Sequence, residues 1–346
     1  MRGKGITFDT GFLSAGTSTR EPFDPAIVRR EMRVIRDDLH CTSVRITGGD
    51  PGRLEIAAAH AADVGLEVWF CPFTNGLTQD ALLELLADCA ERAERIRRRG
   101  ADVVLLTGSE VSLFTVGFFP GDTLAQRLAL ISDPARVRAA IANVRAAMKD
   151  FLRRAVEAVR ARFGGKLSYA SLPFEGVDWT LFDIIATDAG YRTKQNAPQY
   201  RESIRAFVAQ GRSLGKPVAI TEFGCCTFRG AAEFGRDPAF SIIVWGDDGR
   251  AIKLNDVYER DEDEQARYLR ELIEIFEAEG VDSAFVYTFA RYDLLHRDQP
   301  ERDLDRASAG IVKVLEDPTA PRDGPYRDMP WEPKAAFRAV AHRYQR

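Results

Sequence analysis

Lys216-Pro-Val-Ala-Ile-Thr-Glu-Phe-Gly-Cys-Cys226 is the stretch whose reading decides the fold. Val218 to Thr221 has the composition of a strand buried on both faces, and it runs directly into Glu222 before Gly224 breaks it. A carboxylate at the end of a core strand is costly to bury, so something other than packing is expected to keep it there. The same pattern is written once earlier, in Ala101-Asp-Val-Val-Leu-Leu-Thr-Gly-Ser-Glu110, where Val103 to Leu106 delivers Glu110.

Outward from these two strands the chain alternates between short apolar runs and helical spacing. Strands are expected at 5–12, 43–47, 66–71, 103–106, 166–172, 182–187, 218–221 and 282–289. Helices are expected after Asp24-Pro25, a cap followed by a first-turn proline, and at 53–64, 79–98, 134–163, 200–214 and 331–344. Eight such β/α units closing on themselves make an α/β protein, a single (β/α)8 TIM barrel over residues 1–346. An open doubly wound sheet would carry a glycine-rich phosphate turn after its first strand, and Asp9-Thr-Gly-Phe12 is not one. Two insertions follow strand ends, at 114–132 after strand four and at 228–260 after strand seven. In the second, Ile242-Ile-Val-Trp245 and Ala251-Ile-Lys-Leu254, joined through Asp247-Asp-Gly249, read as a β-hairpin on the C-terminal face, where function collects in such barrels.

Composition narrows the function classes. A net charge of −4 with no long run of like charge lacks the basic stripe that nucleic-acid binding needs. No apolar run is long enough to span a membrane. The N-terminus enters a strand without an apolar leader, so a cytoplasmic bacterial protein is expected. Cys41, Cys71, Cys89, Cys225 and Cys226 are odd in number and lack CxxC spacing, which reads as free thiols. Trp69 and Trp331 read as core.

In a barrel, Glu110 and Glu222 face each other across the mouth. A pair of carboxylates flanking a substrate is the minimal kit for cleaving a glycosidic bond. One stays ionised and attacks the anomeric carbon; the other is held protonated and donates to the leaving oxygen. Their environments must push the two pKa values apart. The competing use of many acids is a divalent metal held by oxygens. The chain offers no paired histidines, so neither metal nor cofactor is expected. Asp9, Asp50, Asn75, Glu175, Trp179 and Asp188 lie at or beyond strand ends and are candidates for substrate contact, as polar groups around an aromatic floor suit a polyhydroxylated ligand.

At this point the sequence resembles the retaining glycoside hydrolases of clan A, (β/α)8 barrels with catalytic glutamates after strands four and seven. The likeness spans the whole chain in element order and only short motifs in residues. It implies that Glu110, in Thr107-Gly-Ser-Glu110, is the acid/base and that Glu222, in Ile220-Thr-Glu-Phe-Gly224, is the nucleophile. It makes Arg45, in Ser43-Val-Arg-Ile46, the arginine that steadies the nucleophile, and Tyr191 the tyrosine that hydrogen-bonds it. Two departures stand out. Ser109 replaces the asparagine that usually precedes the acid/base and binds the sugar 2-hydroxyl, and Tyr287, Phe289 and Tyr292 stand where a tryptophan usually closes the sugar platform. Some bacterial look-alikes carry an abortive-infection label, for which no residue here argues. The expected partner is a small carbohydrate or glycoside, cleaved with retention between carboxyl groups about 5–5.5 Å apart. The rivals are a barrel that binds carbohydrate without turnover, in a role such as phage defence, and a metal-assisted barrel enzyme.

Overall fold

Eight parallel strands pair in chain order and close into a barrel, the last returning to the first. They are β1 (Gly3–Asp9), β2 (Ser43–Gly48), β3 (Glu67–Pro72), β4 (Val103–Ser109), β5 (Lys166–Ser171), β6 (Ile185–Thr187), β7 (Val218–Phe223) and β8 (Ser283–Val286). The computed structural model describes residues 1–14, 16–235, 241–246 and 249–346. Alternate side chains point two ways. Val68, Phe70, Leu105, Leu167, Ile185 and Ile220 join the large core beneath the helices. Trp69, Cys71, Val104, Leu106, Ala186, Ala219 and Phe285 form a separate cluster that fills the barrel axis. Both tryptophans read as core, Trp69 and Trp331, are fully buried.

Among the described residues the α-helices of eight residues or more are α1 (Pro25–Arg33), α2 (Pro51–Asp63), α3 (Gln79–Arg98), α4 (Leu124–Ile131), α5 (Pro134–Arg160), α6 (Ala197–Ser213), α7 (Glu262–Glu279) and α8 (Ala335–Tyr344). Three begin at Asp-Pro. Asp24, Asp50 and Asp133 each accept first-turn amides, and the proline occupies the position whose N–H has no partner anyway. α4 falls inside the first insertion, where no helix was expected; Thr123 and Gln126 close a capping box at its start.

Two boundaries differ from expectation. Trp331–Pro333 does not open the last helix but pairs as a strand with Val312–Val314. Pro333 drives Glu332 before it to extended backbone and Lys334 stays extended, so the helix starts at Ala335. The sixth strand starts at Ile185 rather than near residue 182, because Trp179–Leu181 forms a 3-10 turn capped by Asp178 and Phe182 packs edge-on against Trp179 at 5.7 Å.

In the second insertion Phe228 and Arg260 bridge antiparallel at the neck, and Ile243–Trp245 pairs antiparallel with Ala251–Leu254. The turn residues Asp247 and Asp248 lie outside the described residues. A buried charge cluster ties the neck down. Arg260 reaches Asp303 and Asp305 at 2.9 Å each, and the fully buried Lys334 donates to Asp305 and Thr227 at 2.8 Å each.

Candidate active site

The two glutamate-bearing strands each carry one residue more than the neighbour they pair with. Leu106 pairs with Ser168 and Ser109 with Ala170, so Thr107 and Gly108 stand opposite Tyr169 alone. Ile220 pairs with Ala284 and Phe223 with Val286, so Thr221 and Glu222 stand opposite Phe285 alone. A bulge of this kind breaks the two-residue alternation and re-aims the side chains beyond it. On β4 it depends on Gly108, whose φ is +118° and where an added Cβ would lie 2.6 Å from a Val111 methyl. Ser109 is thereby turned to the axis. Glu110 follows in left-handed backbone, φ 46° and ψ 39°, with its N–H donating to the Ala170 carbonyl at 2.9 Å. On β7, Ile220 and Phe223 both pack outward, and Glu222 between them meets groups on the axis.

Glu222 is held at both oxygens. Arg45 Nη1 donates to its Oε1 at 2.7 Å, and the Tyr191 hydroxyl donates to its Oε2 at 2.9 Å. Arg45 is fully buried on β2; it also donates to the Thr221 carbonyl at 3.2 Å, to the Ser109 hydroxyl at 2.9 Å and towards Cys71 Sγ at 3.6 Å. A buried guanidinium must recover its desolvation from partners, and here charged and neutral acceptors surround it. Burial lowers the Arg45 pKa, but Asp188, Cys71 and Glu222 outweigh it and hold the group firmly protonated. Glu110 is 8% exposed and Glu222 1%.

Glu175 supports this site from behind. Its fully buried carboxylate accepts from the Tyr169 hydroxyl at 2.8 Å, the Ser112 N–H at 3.2 Å and the Leu172 N–H at 2.8 Å. Tyr169 in turn accepts from the Val111 N–H at 2.9 Å. The backbone just after Glu110 is thus pinned by one carboxylate, and Glu175 is occupied by protein rather than turned to a ligand. Burial pushes its pKa up to about 7 against the pull of these donors. A raised carboxyl pKa gives stability that is complete below the unfolded value and is lost as pH rises through the folded one. Thermal melts of the wild type should therefore weaken between about pH 4.5 and 7, and Glu175→Gln should flatten that slope. An unchanged slope in the variant would show that Glu175 does not titrate there.

The other candidates separate. Asp188 is fully buried beside Arg45. Asp9 accepts from the Gly11 N–H at 2.9 Å and from the Thr19 hydroxyl, and burial raises its pKa. Asn75 is taken up by Ser14 at 2.9 Å and by the buried Arg127 at 3.0 Å, which also braces the Leu113 and Gly121 carbonyls. Asp50 caps α2 through the Gly52 and Arg53 amides. Trp179 lines a cavity of about 490 Å³ between the ends of β5 and β6 and helix α6, together with Ser171, Leu172, Thr187, Tyr200 and Phe207. Phe289, expected at the substrate, is instead fully buried, its ring 6.2 Å from Phe8 and 5.3 Å from Trp331. The apolar run of β8 carries on into it, and an aromatic there serves packing. Tyr287, two residues earlier, is partly exposed.

The sequence reading missed two groups. Phe12 and Phe73, partly exposed, meet Phe114 with ring centroids 4.8 to 5.5 Å apart just beyond β1, β3 and β4. Arg291 pairs with Asp293 through two hydrogen bonds, 2.8 and 2.6 Å, and its charge also acts on Asp9 and Tyr287. The position of Phe12 and Phe73 just past strand ends was the available signal. Among the described residues no group of three or more His, Cys, Asp or Glu side chains is arranged to hold a metal ion, and no helix is long and apolar enough to cross a membrane.

Barrels of the same fold occur in solved glycoside hydrolases. Over 99% of this chain and 97% of theirs, the structure superposes on the GH113 β-mannanase AaManA from Alicyclobacillus acidocaldarius in complex with ManMIm, at 16% identity and a TM-score of 0.57. It also superposes on Thermotoga maritima Cel5A in complex with cellobiose, at 11% identity, 89% and 96% coverage and a TM-score of 0.52. The Parabacteroides merdae β-glucuronidase with glycerol in its active site matches at 15% identity and a TM-score of 0.53, over 99% of this chain and 36% of that one. At such identities the fold is what is shared. By sequence, no family model and no curated protein matches the chain.

Proposed function

We propose that the protein is a glycoside hydrolase that cleaves a small carbohydrate or glycoside by retaining double displacement, with Glu222 as nucleophile and Glu110 as acid/base. The observation that carries the reading is the grip on Glu222. Arg45 and Tyr191 donate to its two oxygens from opposite partners, which favours the ionised form and fixes the carboxylate's orientation. Glu110 follows the bulged end of β4, on backbone pinned through Tyr169 and Glu175. Glu222 attacks the anomeric carbon while Glu110 passes its proton to the leaving oxygen; Glu110 then takes a proton from water as that water displaces Glu222.

A panel of aryl glycosides tests this. Release of the aryl alcohol by the wild type, lost in Glu222→Gln and reduced in Glu110→Gln, is the expected result; release that both variants retain would overturn it. A second reading, a barrel that binds sugars without turning them over, draws on Ser109, whose hydroxyl is committed to Arg45 and Asp188 rather than to a ligand. Saturable binding of a sugar with no aryl release from any member would favour it.

A further inference from the structure

Behind the Arg45–Glu222 pair lies a second carboxylate. Asp188, just past the end of β6, accepts from the Ser109 hydroxyl through Oδ2 at 2.6 Å. Its Oδ1 lies 3.5 Å from Arg45 Nη1, and the Thr221 side chain also bears on the carboxylate. Ser109 accepts from Arg45 Nη2 at 2.9 Å, so one hydroxyl links the guanidinium to Asp188 while Nη1 goes to Glu222 at 2.7 Å. The bulge at Gly108 is what aims Ser109 into this position. Around Asp188 the titratable and charged groups are Arg45 from β2, Cys71 from β3, Tyr169 from β5 and Glu222 from β7, with Tyr191 on the far oxygen of Glu222. Arg45 is the one cation among them.

Two carboxylates therefore share one buried cation. If Glu222 becomes an ester it loses its charge, and a guanidinium with no other anion would be left stranded at low dielectric. We propose that Asp188 is a positioning residue, which holds Arg45 through Ser109 and becomes its sole counter-charge while Glu222 carries the sugar. This rests on the glycosidase reading above. In the covalent step the Glu222 carboxylate bonds the anomeric carbon, the bond to the leaving oxygen breaks, and the Glu110 proton goes to that oxygen. Asp188 exchanges no atom, and the Arg45 cluster passes from net −1 to neutral. Burial raises the Asp188 pKa, with Arg45 opposing and the Glu222 charge adding to the rise. With asparagine at 188, Glu222 would be the only anion on Arg45: its ionised form would be favoured, and esterification would strand the cation.

The test is a carboxyl ¹³C NMR titration of the wild type, Asp188→Asn and Ser109→Ala, paired with the rate of covalent labelling by activated 2-deoxy-2-fluoro glycosides. Asp188 and Glu222 should titrate as a coupled pair in the wild type. In Asp188→Asn the Glu222 titration should move down by about one pH unit and labelling should slow about tenfold. Ser109→Ala should move both in the same direction by less, and it serves if Asp188→Asn does not fold. Independent single-site curves in the wild type, or an unmoved Glu222 titration in a folded variant, would overturn the proposal. Coupled titration in a wild type that no glycoside labels would instead overturn the glycosidase reading and the ester role with it, whereas labelling at the wild-type rate in Asp188→Asn would overturn this inference alone.

Discussion

Glu222→Gln is expected to lose at least about 10⁴-fold in turnover while keeping the fold. The amide is nearly isosteric, so its oxygen can keep one of the two partners that the carboxylate holds, Arg45 or Tyr191. It cannot form the glycosyl ester, because a neutral amide is a poor nucleophile. Removing one partner of a buried ion pair usually costs about 3–5 kcal/mol by leaving the other uncompensated. Here Asp188, 3.5 Å from Arg45, remains as an anion, so the melting temperature should fall by much less than such a loss implies. Activity within tenfold of wild type would remove Glu222 from the mechanism.

The second large effect is expected at Glu110. Glu110→Ala should lower kcat/KM by about 10²–10⁴-fold for glycosides whose leaving group needs a proton. Aryl glycosides with strongly acidic leaving groups need none, so their first step should survive. Their second step should not, because no base remains to activate water. A burst of aryl release followed by slow turnover is therefore the expected trace, and azide, which needs no base, should restore the steady rate. Equal losses for all leaving groups, without a burst, would show that Glu110 handles no proton.

The barrel was legible because its strands are buried on both faces and its helices are amphipathic; the two periods alternate along the whole chain. Glu110 and Glu222 were legible for a related reason, since a carboxylate that ends a core strand is conspicuous. Arg45 stood out in the same way, as a charge inside β2. What the sequence did not disclose is the local backbone. Simple alternation on β4 would have turned Ser109 outward, and only the pairing with β5 reveals the bulge at Gly108 that turns it to Arg45. Nor does sequence show what a polar side chain is already bonded to. Asp50, Asn75 and Glu175 look available in the chain and are occupied in the fold by a helix start, a buried arginine and a loop. Phe289 was misplaced because an aromatic at a strand end reads alike whether it faces a ligand or Trp331. The helix expected from Trp331 failed on Pro333, whose restriction on the preceding residue outweighed the helical spacing.

The claim on which the rest depends is that Glu222 attacks a sugar held between it and Glu110. A crystal structure of the protein inactivated with a 2-deoxy-2-fluoro glycoside tests it most directly. The expected result is a bond from the anomeric carbon to a Glu222 oxygen, with the Glu110 carboxyl about 5–5.5 Å from that of Glu222 on the other side of the anomeric centre. A sugar bonded to any other residue, or an unlabelled site with the two carboxyls about 9 Å apart, would contradict it.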